Sequence, residues 1–95
     1  MIPVRIKYLG EARKLTFDFK SKMGVGDTLV GSATVTGPVG ITLASPSTDV
    51  TNGLVTVLVS GGTLDSDYLI VCTHSTTNGE VLILTVLVEV RADAN

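Results

Sequence analysis

The strongest constraint on the fold is a period-two pattern of apolar residues in the second half of the chain. Three apolar runs are separated by two glycine-containing turns: Leu54–Ser60, Tyr68–Thr76 and Val81–Val90. In the first run, Val55, Val57 and Val59 recur at every second position, which places them on one face of a β-strand. β-Branched side chains fit strands and lose rotamer freedom in helices. The pattern therefore predicts consecutive strands in an all-β domain.

The last run is apolar on both of its faces. One face carries only leucine and valine and is predicted to point into the core: Leu82, Leu84, Val86, Val88 and Val90. The other face still holds Val81, Ile83 and Leu87, although a strand with one solvent-facing side normally alternates apolar with polar residues. Either a strand or loop of the same chain covers this second face, or another protein chain does.

Two glycine-containing connectors join the three runs. Asn78 and Gly79 form the dipeptide that best tolerates positive φ, so they predict a two-residue hairpin turn. The runs on either side of that turn are then an antiparallel pair. Gly61 and Gly62 open the other connector, between the first run and the second.

The first 23 residues also alternate, but with more polar positions. Residues 1–10 predict a short edge strand or an extended arm, and Pro3 suits an edge because it has no N–H to donate. In Ala12–Met23 a helical spacing competes with alternation, and Thr16 and Phe17 favour the strand because both are poor helix formers. We expect an N-terminal arm or edge strand at 1–10 and one domain at 11–95.

The middle of the chain adds shorter strands. Thr28–Thr36 and Val39–Ala44 are predicted strands, Ser45-Pro46-Ser47 a break, and Thr48–Thr51 a brief edge strand. About seven strands at short, even spacing, without crossover helices, predict a single antiparallel β-sandwich.

Charge is distributed unevenly along the chain. Residues 1–22 hold six of the seven basic residues and have a net charge of +4, while the rest of the chain has −6. We do not expect nucleic-acid binding, because the whole chain is acidic and the basic segment lacks the aromatic and glycine interleaving that is typical of single-strand binders. Two interpretations stay open: the basic side chains attract an acidic protein surface, for example that of a neighbouring copy, or they are simply solvated.

No motif in the sequence predicts catalysis, a metal or another cofactor. Cys72 and His74 lie two residues apart on one strand, and one cysteine with one histidine cannot complete a zinc site. The same pair has no third group to orient it as a nucleophile and base. Asp65 and Asp67 lack the glycine and glutamate that a calcium-binding loop requires at its sixth and twelfth positions. No apolar run reaches the ~18–20 residues of a membrane span.

Tyr68 begins the second run directly after a turn. In immunoglobulin-like sandwiches a tyrosine near the start of strand F bonds back to the preceding corner. We therefore expect the Tyr68 ring to lie in the core and its hydroxyl to bond a backbone group near Leu64.

Several segments occur together in residues 11–90 in a characteristic order. They are Leu15-Thr16-Phe17-Asp18-Phe19, Gly26-Asp27-Thr28-Leu29-Val30-Gly31-Ser32, Gly40-Ile41-Thr42-Leu43, Val55 to Thr63, Tyr68 and Thr76-Thr77-Asn78-Gly79-Glu80. In this order the chain resembles the short structural proteins of tailed bacteriophages known as fiber–tail adaptors. The resemblance implies an immunoglobulin-like (Ig-like) sandwich, made in the bacterial host cytoplasm and built into the virion.

The same resemblance implies a non-enzymatic adaptor or connector at the head–tail junction or in the tail. It further implies a homo-oligomer and contacts with portal, neck, tail or fiber proteins. A capsid decoration protein and a carbohydrate- or cell-surface-binding module are the alternatives. Residues expected at the interface are Ile2, Val4, Arg5, Ile6, Lys7, Tyr8, Val81, Ile83 and Leu87, and those expected to shape the fold are Tyr68, Gly61, Gly62, Asn78 and Gly79.

Overall fold

The computed structural model describes residues 3–92, which form seven β-strands and a single turn of 3-10 helix at Lys20–Lys22. The strands are β1 (Val4–Tyr8), β2 (Arg13–Asp18), β3 (Leu29–Thr36), β4 (Ile41–Asp49), β5 (Leu54–Gly61), β6 (Asp67–Thr76) and β7 (Val81–Arg91). The predicted all-β fold of about seven strands is confirmed. In this described range, no helix has the length and apolar content needed to cross a bilayer.

The strands form two sheets, a four-stranded one in the order β1-β7-β6-β3 and a three-stranded one in the order β2-β5-β4. Strands β2, β5 and β4 correspond to B, E and D of the Ig-like sandwich, and β3, β6 and β7 to C, F and G. The chain is therefore an Ig-like β-sandwich, as predicted. Strands β6 and β7 form its longest antiparallel pair, from Asp67 opposite Glu89 to Ser75 opposite Val81.

Strand β1 differs from the predicted antiparallel arrangement. It runs parallel to the end of β7, with Val4 opposite Leu87 and Tyr8 opposite Arg91. The four-stranded sheet is therefore mixed, and Val4–Tyr8 is an edge strand of this chain's own sheet rather than a free arm. A domain boundary at residue 10 stays a prediction.

The core lies between the inner faces of the two sheets. The three valines predicted to share a face, Val55, Val57 and Val59, are all buried there, and Phe17 and Phe19 from the end of β2 join them. On the opposite sheet Ile70, Cys72, Val86, Val88 and Val90 are buried as well. With no tryptophan in the chain, aliphatic side chains supply most of this interior.

Strand β4 continues through the segment predicted as a break. Its register with β5 shifts by one residue between Ala44 and Ser47, and Ser45 adopts a positive φ of 52°. This is a β-bulge, which takes up one extra residue without ending the strand. Pro46 is tolerated because β4 is the edge of its sheet and an edge residue need not donate to a ladder.

The β6–β7 turn is longer than predicted. Only Gly79 has a positive φ, at 86°, so Asn78 does not adopt the left-handed conformation that a two-residue turn requires. The Gly79 N–H donates to the Thr76 carbonyl at 3.1 Å, and the Thr76 N–H donates to the Glu80 carbonyl at 2.9 Å. The connection is a three-residue loop that ends in a glycine bulge.

Tyr68 closes the corner between β5 and β6. Its ring is buried, and its hydroxyl accepts a hydrogen bond of 2.8 Å from the Thr63 backbone N–H, one residue before the expected partner. Gly62 leaves room for this corner to pack, since a Cβ at that position would lie 2.7 Å from Cγ2 of Val90 and 3.3 Å from Cε2 of Tyr68. Both Gly61 and Gly62 have positive φ, which favours glycine at the start of the corner.

Candidate interaction surface

The outer face of the four-stranded sheet carries rows of side chains that cross β1, β7 and β6. Its most apolar row is Val4–Leu87–Leu69, in which residues of three neighbouring strands lie side by side. Farther along the sheet, Val71 lies beside Thr85, and Ile83 beside Thr73. We call Val4, Ile6, Leu69, Val71, Val81, Ile83 and Leu87 the outer apolar face.

Most of the outer apolar face is open to solvent. The exposed fraction is 51% for Ile6, 52% for Ile83 and 62% for Val81. Leu87 is half-buried because Val4 and Leu69 flank it. Isolated exposed apolar residues are ordinary, but a contiguous group on a rigid sheet is typical of a protein-contact surface.

The outer face of the three-stranded sheet is more polar. Its rows pair β5 residues with polar neighbours, as in Thr16–Thr56–Ser47 and in the row of Asp18, Leu54 and Asp49. Within the part of the chain that the structure describes, no row on that side is apolar across three strands like Val4–Leu87–Leu69. The two faces therefore differ in chemistry, and the four-stranded side is the better candidate for contact with another protein.

Charged side chains mark one end of the outer apolar face. The Arg91 guanidinium lies 3.2 Å from the Asp67 carboxylate and 3.1 Å from that of Glu89. Glu89 stands directly beside Ile6 in the sheet. A polar rim around an apolar centre is the usual arrangement at protein interfaces.

The structure separates the predicted interface residues into two groups. Six of them share the outer side of the sheet: Val4, Ile6, Tyr8, Val81, Ile83 and Leu87. Arg5 and Lys7 point to the inner side, because side chains alternate along β1. Lys7 is only 2% exposed and does not belong to the outer apolar face, and its predicted place at an interface stays a prediction. Ile2 lies outside the described residues.

Leu69 and Val71 belong to this surface but were missed in the sequence. They alternate with Ile70 and Cys72, so β6 is apolar on both faces, as β7 is. That pattern is the signal that could have identified them. It is weaker in β6 because threonine and serine follow at Thr73 and Ser75.

Cys72 and His74 are buried parts of the core rather than a reactive pair. Burial raises the pKa of the Cys72 thiol to about 11, which keeps it protonated. His74 Nδ1 donates to the Ser75 carbonyl at 3.0 Å, and Nε2 shares a hydrogen bond of 3.1 Å with the Thr48 hydroxyl. Among residues 3–92, no three His, Cys, Asp or Glu side chains cluster in a way that could hold a metal ion.

The Asp27 carboxylate connects the β6–β7 turn to the start of β3 through hydrogen bonds. Its Oδ1 accepts hydrogen bonds from the Thr77 hydroxyl at 2.7 Å, the Thr28 N–H at 2.9 Å and the Asn78 N–H at 3.2 Å. These bonds, that of Thr77 above all, lower the pKa of the Asp27 carboxyl below its ordinary value. The ionised form is therefore the one that the folded protein stabilises.

The Asp27 contacts predict a pH-dependent stability. A lowered pKa contributes stability above the ordinary aspartate value of about 4, and that contribution disappears as the pH falls through the folded-state pKa. Asp27→Asn should lower the melting temperature at neutral pH, and the gap to the unmodified protein should close in acid. Melting curves across this range test the prediction, with Asp65→Asn as the matched control because Asp65 is exposed in the loop before β6. A gap that does not change with pH would contradict it.

Comparison with known proteins gives one family and one fold. Residues 7–89 match the family model described as Podophage GP4 fiber-tail adaptor protein gp77. The comparison with curated proteins found no match. Among solved structures, the chain is similar to the PKD domain from KIAA 1837 protein, with a TM-score of 0.60, 19% identity, and coverage of 98% of this chain and 84% of that one. At that identity the likeness shows the fold alone, and it agrees with the Ig-like sandwich.

Proposed function

The chain belongs to the podophage fiber–tail adaptor family, and on that premise we propose that it works as a non-enzymatic building block that joins phage structural proteins through its outer apolar face. Membership makes it a tail structural protein of the virion. We propose in addition that the outer apolar face makes the contact. We also propose that copies of the chain form a homo-oligomer around the tail.

The observation that carries the proposal is the row Val4–Leu87–Leu69, apolar across three strands of one sheet. A sheet face is rigid before binding, so its burial requires little ordering of the backbone. Apolar side chains at the centre and the charged group of Asp67, Glu89 and Arg91 at the rim match the anatomy of a protein interface. We therefore place the contact on this face rather than on the polar three-stranded side.

Ile83→Lys tests the proposed contact surface. Ile83 is 52% exposed, so an ammonium at this position stays solvated in the free protein and should leave the melting temperature unchanged. In a complex the ammonium would lie in an apolar contact, and we expect a loss of about 2 kcal/mol, or roughly thirtyfold in affinity. The readouts are the oligomer size by light scattering and the yield of infectious particles when the variant complements a phage that lacks the gene.

Val39→Lys is the matched control for this experiment. Val39 is 100% exposed in the loop before β4, so the change adds the same charge away from the outer apolar face. It should assemble and complement like the unmodified protein. If Ile83→Lys also keeps its oligomer size and its particle yield, the outer apolar face is not the contact surface.

A further inference from the structure

A basic cleft lies where the edge strands of the two sheets face each other. Strand β1 borders one sheet and β2 the other, and between them is a cleft of about 50 Å³. It is lined by four basic residues, Arg5, Lys7, Arg13 and Lys14, over apolar side chains that include Leu15 and Val88. This basic cleft opens on the inner side of β1, and Ile6 is the one member of the outer apolar face that also lines it.

Lys7 is the buried member of the basic cleft. It lies opposite Val90 on the inner side of β1 and is only 2% exposed. Its Nζ donates one hydrogen bond, to the Tyr8 carbonyl at 3.3 Å, although an ammonium can donate three. Among the ion pairs formed within residues 3–92, none includes Lys7. A buried ammonium with so few partners is costly unless an anion joins it.

The other basic side chains leave the positive charge of the cleft largely uncompensated. Arg13 has one acidic neighbour, the Glu11 carboxylate at 3.6 Å, and both side chains are exposed to solvent. Arg5 donates to the carbonyl of its own neighbour Val4 at 3.1 Å. From the core side only apolar residues such as Val59 and Val88 face the cleft. Arg13 and Arg5 are therefore free to turn towards an incoming anion.

The size of the cleft limits what can enter it. A water-sized group takes about 10–15 Å³, so a cleft of 50 Å³ holds roughly three to five non-hydrogen atoms. A carboxylate with its attached carbon has that size, and its two oxygens can accept from Lys7 and from an arginine together.

We propose that the basic cleft binds the carboxylate of an acidic side chain on a partner protein, with Lys7 as the buried contact. The apolar floor at Leu15 and Val88 suits the methylene groups of such a side chain. A nucleic acid fits the cleft less well, since the whole chain has a net charge of −2 and no aromatic residue lines the cleft. The proposal does not depend on the outer apolar face.

A charged side chain that points inwards from an edge strand, as Lys7 does, can have a second role that is unrelated to binding. Charged side chains on an edge strand discourage other strands from pairing with it. If that were the whole role of Lys7, the cleft would protect the β1 edge and bind no anion. A saturable response to a carboxylate distinguishes the two roles.

The experiment is an NMR titration of the full chain at constant ionic strength. The probes are sodium acetate, a capped tetrapeptide with a central glutamate, inorganic phosphate and a short single-stranded oligonucleotide. We expect the glutamate peptide to shift the Lys7 side-chain signals and the amides of Leu15 and Val88 in a saturable way. Lys7→Met should weaken this binding by about tenfold or more, while Lys20→Met, which removes the same charge elsewhere, should not.

Two controls distinguish a loss of carboxylate binding from a loss of folding and from a loss of the outer apolar face. Lys7→Met should melt at the same temperature as the unmodified protein or higher, because an apolar chain of similar shape replaces a buried charge. Ile83→Lys should bind the peptide normally, so a failure of the outer apolar face would not be mistaken for a failure of the cleft.

Three results would overturn the proposal. One is the absence of any saturable shift with acetate and peptide, which would leave edge protection as the role of Lys7. Another is equal weakening by Lys20→Met, which would mean that binding reflects overall charge. The third is tighter binding of phosphate or of the oligonucleotide than of the peptide.

Discussion

Val57→Asp is expected to leave the chain unfolded. Val57 is 0% exposed on β5, the central strand of the three-stranded sheet, and it lies opposite Leu15. An aspartate at this position must bury an unpaired charge or a protonated carboxyl without partners, and either costs several kcal/mol. A domain of 95 residues has only about 5–14 kcal/mol of stability in total. The loss of apolar packing adds to the cost of the buried acid.

Far-UV circular dichroism and the dispersion of amide NMR signals measure this outcome. We expect a random-coil spectrum and collapsed signals for Val57→Asp. Thr56→Asp is the matched control, because Thr56 is the preceding residue and points to the opposite, solvent-facing side between Thr16 and Ser47. That control should fold. A cooperative melting transition in Val57→Asp would show that the core is not where the alternation places it.

Phe19→Ala is the second change with a large expected effect. The Phe19 side chain is fully buried, and its ring meets the His74 ring edge-on, with centroids 6.3 Å apart. Its backbone N–H also donates to the Gly53 carbonyl at 2.9 Å, where β2 passes into the 3-10 helix. Removing the ring creates a cavity between the sheets, and we expect a loss of about 3–5 kcal/mol in the free energy of unfolding.

Equilibrium unfolding in urea measures the effect of Phe19→Ala. The midpoint should fall while the slope of the transition stays the same, because the surface exposed on unfolding hardly changes. Thermal melting should drop by roughly 15 °C or more for a domain of this size. Phe19→Leu keeps most of the apolar volume and should lose less than half as much. If Phe19→Ala stays within about 1 kcal/mol of the unmodified protein, the ring does not support the core.

The alternation of apolar residues was enough to predict the strands of the second half. The observed Leu54–Gly61, Asp67–Thr76 and Val81–Arg91 each extend the predicted run by no more than one residue at either end. This works because the direction of a side chain on a strand depends on local backbone geometry alone. The same reasoning placed Val57 in the core, whereas the corner position of Tyr68 was predicted from the pattern of immunoglobulin-like sandwiches.

The interaction surface could be predicted only in part. The apolar second face of β7 was visible in the sequence, but Leu69 and Val71 were not joined to it, because strand order is not a local property. Lys7 was expected at an interface because it belongs to the basic N-terminal segment, which was interpreted as an arm or edge strand. Its burial follows from β1 pairing in parallel with β7, which turns the odd-numbered residues of β1 inwards.

The order of residues along the chain determined the class of fold, the bounds of the long strands and the set of side chains that forms the core, since each follows from a repeat of two residues. Only the tertiary structure decided that β1 runs parallel to β7, that β4 passes through Pro46 as a bulge, and that Lys7 is buried at the side of a cleft. These features depend on which edge of a sheet is left unpaired once the sheets have formed. They also depend on contacts between residues more than 80 positions apart, such as Val4 and Leu87. No local pattern records that choice.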